Sequence, residues 1–106
     1  MDHKYLTHDI VANGFAAIGS EPRLEVLKIL VRAGNDGLTI GEIQQRTGIA
    51  ASTLAHHLKF LSAGALITQS KQGRSVINRA NYELIEALSN YLLAECCIDA
   101  IQHKNS

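Results

Sequence analysis

The stretch TIGEIQQRTGIAASTLAHHLKFLSAG, residues 39–64, constrains this chain more than any other part of it. Thr39 and Glu42 form a T-x-x-E capping box, in which each side chain satisfies an exposed amide at a helix start. Ile40 and Ile43 are spaced to pack inward, and Gly48 stops this helix early. Only Thr47, Gly48 and Ile49 separate it from a second helical signal, in which Leu54, Leu58 and Leu61 recur at i, i+4 and i+7 and Gly64 supplies the stop. A short helix, a tight turn containing glycine and a second helix make a helix-turn-helix. The second helix must bury its leucine face and leave the opposite face free.

The flanks complete a recognisable order. Ile10, Val11, Phe15 and Ile18 predict a first helix from about His8 to Ile18, despite Gly14 inside it. In SEPRLEVLKILVRAG, Ser20 is the N-cap and Pro22 lies in the first turn. Leu24, Leu27, Leu30 and Val31 form the expected buried stripe of this second helix, and Gly34 ends it. Beyond residue 64, ALITQ and SVINR read as two short strands around SKQGR, a hairpin with Gly73 near its tip. The last helix begins at an Asn81 N-cap and is expected to run through NYELIEALSNYLLAECC. The fold class is therefore mainly α with a β-hairpin wing (α+β), a winged helix-turn-helix in the order α-α-α-α-β-β-α. Residues 1–106 are expected to form a single domain, since no linker, repeat or low-complexity segment interrupts them.

The net charge is zero, but its distribution is uneven. From Ile43 to Tyr82 there is no Asp or Glu, while Arg46, Lys59, Lys71, Arg74, Arg79, His56 and His57 all lie there. An acid-free segment that coincides with a helix-turn-helix and its wing has the electrostatic footprint a phosphate backbone requires. In such a motif the second helix enters the major groove with its N-terminal residues against base edges. Ser52, Thr53 and His56 would then occupy the reading face, with Lys59 a turn further on for backbone contact. Lys71, Gln72 and Arg74 on the wing are placed for phosphate or minor-groove contact, and Thr39 and Gln44 for phosphate contact from the preceding helix. His57 sits closer to the leucine face, where packing or an interhelical hydrogen bond competes with a DNA role. A protein-interaction module built on the same fold is the competing reading from another class. No phosphate loop, carboxylate pair or nucleophile–base pair points to an enzyme.

EPRLEVLKILVRAG, LTIGEIQQRTGIAASTLAHHLKFLSAGALI and KQGRSVI together resemble the ArsR/SmtB family of winged-helix repressors, over roughly residues 8 to 98. The resemblance implies a homodimer built from the first and last helices, bound to a palindromic operator on double-stranded DNA and released by a ligand. One departure is Ala50 at the recognition-helix N-cap, where members often carry Ser. Independently, the last helix carries more apolar stripe than a small winged domain covers alone, and Tyr5, Phe15, Leu88, Tyr91 and Leu92 are the candidates for the dimer seam.

The family's metal sites can be compared position by position. The Cys-x-Cys site on the third helix is replaced by Thr39, Ile40 and Gly41, and the Asp/His site on the last helix by Glu83, Glu86 and Asn90. The chain's only cysteines, Cys96 and Cys97, are adjacent near the end of that helix. Arsenic-responsive members with such a pair add a third cysteine a few residues later, whereas here Ile98 to His103 contain none. The pair is thus expected to serve as an effector site for a trivalent arsenical, another soft metal ion or an oxidant. Both sulfurs can face one ion only if the helix unwinds near Glu95 or a partner contributes. Other readings are a ligand set completed by His3, His8, Asp9 or His103, or packing of one cysteine against the first helix. The polar N-terminus does not read as a signal peptide, and no apolar run is long enough to span a bilayer, so no membrane association and a cytoplasmic location are expected.

Overall fold

The computed structural model describes residues 6–100. Its elements are α1 (His8–Ile18), α2 (Glu21–Ala33), a single 3-10 turn (Gly34–Asp36), α3 (Ile40–Thr47), α4 (Ala51–Ala63), β1 (Ile67–Gln72), β2 (Ser75–Ala80) and α5 (Tyr82–Leu93). This is the order expected for a winged helix-turn-helix, with the 3-10 turn added. Among the described residues no helix is long and apolar enough to cross a membrane.

Local chemistry starts most of the helices. The Ser20 hydroxyl accepts from the Arg23 N–H at 3.2 Å, and the Asn81 side chain from the Leu84 N–H at 3.3 Å. At α3 the capping box closes in both directions: Thr39 Oγ1 accepts from the Glu42 N–H at 3.2 Å, and Glu42 Oε1 accepts from the Thr39 N–H at 2.9 Å. Gly48 ends α3 in the left-handed conformation, at φ 72°. α4 starts at Ala50 without a side-chain cap, which forgoes about 1 kcal/mol relative to Ser.

The core lies where the five α-helices and the base of the wing meet, with Val11 and Ala17 contributed by α1. Val26, Leu30, Ile43, Leu54, Leu61, Leu66 and Leu84 have no exposed surface at all. Two expectations for this core need correcting. The buried face of α2 is Val26, Leu27 and Leu30, while Leu24 and Val31 are exposed, because both sit roughly 100° around the helix from its centre. Ile40 is also exposed, because it occupies the first turn of α3 and only Ile43 points at the core.

The wing is a two-stranded antiparallel hairpin in the register Ile67↔Ala80 to Gln72↔Ser75, so Lys71 and Gln72 extend β1 and only Gly73 and Arg74 turn. A bridge from Leu38 to Asn78 fastens β2 to the chain just before α3, with N–H···O distances of 2.9 and 2.8 Å in the two directions. Asn78 is buried and fully used: its Nδ2 donates to Leu38 O at 3.1 Å and its Oδ1 accepts from Gln69 Nε2 at 2.7 Å. This close approach requires Gly37. Its φ is 67° with ψ −170°, and a Cβ there would lie 2.5 Å from the Asn78 carbonyl oxygen.

The last helix is shorter than expected. α5 ends at Leu93, and residues 94–97 form turns in which the Cys96 N–H donates to Leu93 O at 2.9 Å.

Gly37→Ala is expected to destabilise the protein by about 2–3 kcal/mol, lowering the thermal midpoint by roughly 10 °C or more at fixed protein concentration. The Thr39 N–H, then the Thr39 hydroxyl, hold the Glu42 carboxyl below its ordinary value. A carboxyl depressed in the folded state contributes stability that is present above its ordinary value and lost as pH falls through the folded one. Glu42→Gln is therefore expected to flatten the acid limb of a stability-against-pH curve below about pH 4.5, with little change in its shape above pH 6.

Candidate nucleic-acid interface

The leucine face of α4 is wholly buried, with Leu54 and Leu61 at 0% and Leu58 at 3% exposure, and this fixes which side of the helix faces out. Ser52, His56 and Lys59 follow at i, i+4 and i+7 on that outer side, and all three are exposed. Thr53 is exposed on the flank of the same face. His57 is turned further inward: it is half-buried, and its Nδ1 has no hydrogen-bond partner.

Lys71, Gln72 and Arg74 are exposed together at the far end of the hairpin. Arg79, in the same acid-free segment, is instead a tie: its Nε donates to Asn35 O at 2.7 Å and its Nη1 to Ser70 Oγ at 2.5 Å. Arg46 lines a cleft against α2, beside Glu21, Glu25, Lys28 and Arg32. So the cations gathered by sequence position divide in space between the wing tip, the outer face of α4, the cleft beside α2 that Arg46 lines and the tie made by Arg79. Thr39 caps α3 and Gln44 lies on it, but the Thr39 hydroxyl is engaged in the capping box and Gln44 is half-buried.

Sequence reading missed a contact that reaches the outer face of α4. Arg23, in the first turn of α2, donates from Nε to Ala17 O at 2.6 Å and from Nη2 to Ala16 O at 3.3 Å, at the end of α1. Its guanidinium lies 4.9 Å from the centroid of the Phe60 ring on α4, and Phe60 meets His56 edge-on at 4.8 Å. Such a cation–π contact contributes about 0.5–1 kcal/mol at exposed positions. The signal available in sequence was the Phe60–His56 spacing of four; nothing local announced Arg23.

At the opposite end of the chain, Cys96 and Cys97 are both exposed, with their sulfurs 3.3 Å apart. The expectation that one packs against α1 is therefore overturned, because the helix ends before either cysteine and carries neither inward. The unwinding at Glu95 that two convergent sulfurs require is present, and Cys97 takes a left-handed φ of 65°. Among the described residues no group of three His, Cys, Asp or Glu side chains is close enough to hold a metal ion. His8 packs edge-on against Tyr91 at 5.9 Å and is in no such group. Asp9 is engaged by Thr7, whose hydroxyl is the main cause of its lowered carboxyl value. His3 and His103 lie outside the described residues, as does Tyr5.

Of the seam residues, Leu92 is 68% exposed and stands beside Leu93 at 66%. Phe15 is exposed and Tyr91 half-buried. Leu88 is corrected to the core: it is 2% exposed and packs where Gly14 of α1 leaves room, so it has no surface left for a partner.

Residues 18–70 match a family model described as a helix-turn-helix domain. The transcriptional repressor SdpR of Bacillus subtilis (strain 168) is 27% identical over 81 residues, covering 76% of this chain and 87% of that protein. Among solved structures, an ArsR-like transcriptional regulator from Rhodococcus sp. RHA1 aligns with a TM-score of 0.74 and 26% identity, over 92% of this chain and 87% of that one. The homodimeric winged helix-turn-helix DNA-binding domain of Mb0332 from Mycobacterium bovis shares the fold, with a TM-score of 0.67 and 21% identity over 84% of this chain and 81% of that one.

Proposed function

The chain belongs to the helix-turn-helix family as an ArsR-family winged-helix regulator that binds DNA and is not an enzyme, and on that premise we propose that it is a homodimeric repressor of transcription. The observation that carries this reading is the outer face of α4, where Ser52, His56 and Lys59 stand clear of a leucine face with almost no exposed surface. Ser52, Thr53 and His56 read base edges in the major groove, and Lys59 contacts the backbone. The wing tip adds Lys71, Gln72 and Arg74 along the neighbouring phosphates. Gln44 is a peripheral phosphate contact, and Thr39 serves chiefly as the cap that sets the pitch of α3.

The exposed pair Leu92 and Leu93, with Phe15 and Tyr91, meets the same surface of a second copy. Two-fold symmetry then sets the two reading helices about one turn of DNA apart, or ~34 Å, on a palindromic operator. Cys96 and Cys97 form the effector site. Two adjacent thiolates offer soft sulfur ligands to a monosubstituted trivalent arsenical or a soft metal ion, and they fit a species satisfied by two sulfurs better than a tetrahedral ion that requires four ligands. Their position just past Leu93 supports a direct route from ligand to dimer. A change in that turn repacks the seam and with it the spacing of the two α4 helices.

Fluorescence anisotropy on a duplex selected from a randomised library tests the DNA reading. Arg74→Ala is expected to weaken binding equally across sequences and to reduce the salt slope by about one. Ser52→Ala and His56→Ala should instead change which sequences are preferred, and absence of any salt-dependent affinity would overturn the repressor reading in favour of a protein-interaction module. For the effector site, a phenyl-substituted trivalent arsenical is expected to release wild-type protein from DNA and to leave the Cys96→Ser/Cys97→Ser variant bound. Release that persists in that variant would remove the thiols from the mechanism.

A further inference from the structure

We propose that Arg23 and Phe60 are a positioning pair for His56, fixing the orientation of its imidazole on the reading face from an anchor at the end of α1. The inference rests on the reading of His56 as a base contact, and it adds what makes that contact selective.

The contacts run outward from α1. Its last carbonyls, those of Ala16 and Ala17, accept from the two ends of the Arg23 fork. A helix C-terminus carries partial negative charge, so a guanidinium is favoured there. With its plane fixed by two bonds, the same guanidinium lies over the ring of Phe60, 4.9 Å from the centroid. Phe60 is 44% exposed, so it is not a core residue; its ring stands on the surface of α4 held by Arg23 on one side. His56, one turn earlier on the same helix, packs against that ring at 4.8 Å with the two planes 84° apart. A solvent-facing imidazole on a helix otherwise samples several rotamers, and each must be given up on binding. The Phe60 ring removes that freedom before DNA arrives.

The anchor itself is firm. α1 and α4 approach so closely that a Cβ on Gly64 would fall 2.7 Å from that of Ala17, the residue whose carbonyl holds Arg23. Lysine at position 23 would keep the charge but not the planar fork that bonds two carbonyls and stacks on a ring together. The pair acts on DNA through the orientation of His56, so its effect falls on base discrimination and not on the salt dependence of binding.

The test measures the affinity ratio between a selected duplex of about 30 base pairs and its single-base variants, using the full-length chain. Phe60→Leu is expected to lower discrimination roughly five- to tenfold at the base position that His56→Ala also affects, with an unchanged salt slope. The Phe60→Leu/His56→Ala double variant should lose no more than His56→Ala alone, and Phe60→Tyr should retain discrimination. Arg23→Lys carries the same expectation as Phe60→Leu and decides the matter should that variant fail to fold. If His56→Ala loses discrimination while Phe60→Leu and Arg23→Lys keep it, the positioning role is overturned and the base contact stands. Additive losses in the double variant, or a uniform loss of affinity across sequences, would also overturn it. If His56→Ala itself keeps full discrimination, the base-contact reading fails and the positioning role with it.

Discussion

The burial of Leu54, Leu58 and Leu61 is the constraint on which the rest of the structure depends. Three leucines at helical spacing with almost no exposed surface allow α4 only one rotation about its axis, since any turn of the helix would expose apolar area at roughly 25 cal/mol per Å2. That rotation alone selects Ser52, His56 and Lys59 as the outward residues. α3 contributes Ile43 to the same core and is held at its start by the Thr39–Glu42 box and at its end by Gly48, so the angle of the helix-turn-helix is set from both sides.

The wing depends on a second, polar lock. Asn78 is the one buried polar residue of the described core, and both ends of its amide are satisfied, by Leu38 and Gln69. Arg79 adds a tie to Asn35 across the base of the hairpin. A two-stranded hairpin is marginal by itself in water, and these bonds to the segment before α3 are what hold it at a defined angle to α4. The tip carrying Lys71 and Arg74 is thereby positioned by residues at the base of the wing.

The two ends of the fold are organised differently. Where α1 meets α4, packing is tight and Arg23 spans three helices. Where α5 leaves the core, Leu92 and Leu93 are exposed and the backbone unwinds into the turn that holds Cys96 and Cys97. Leu92 and Leu93 thus leave apolar surface uncovered within the protomer, directly beside the turn that carries the thiol pair.

The sequence by itself determined the elements and their order. The caps at Ser20, Thr39 and Asn81, the stop at Gly48 and the leucine period of α4 are local signals, each acting within one or two turns of the residue that carries it. They sufficed for the helix-turn-helix, as the spacing of Ile10, Val11, Phe15 and Ile18 did for the boundaries of α1. Tertiary structure decided what depends on neighbours distant in the chain. The apolar face of α5 was legible, but only the passage of Gly14 assigns Leu88 to the core and leaves Leu92 outside. The acid-free segment was legible, but only the packing of β2 against Asn35 separates Arg79 from Arg74. Phe60 and His56 were legible as neighbours, whereas their link to Arg23 spans 37 residues and depends on α1, α2 and α4 meeting at one corner. Periodicity records which residues share a face; it carries no information about which other element covers that face.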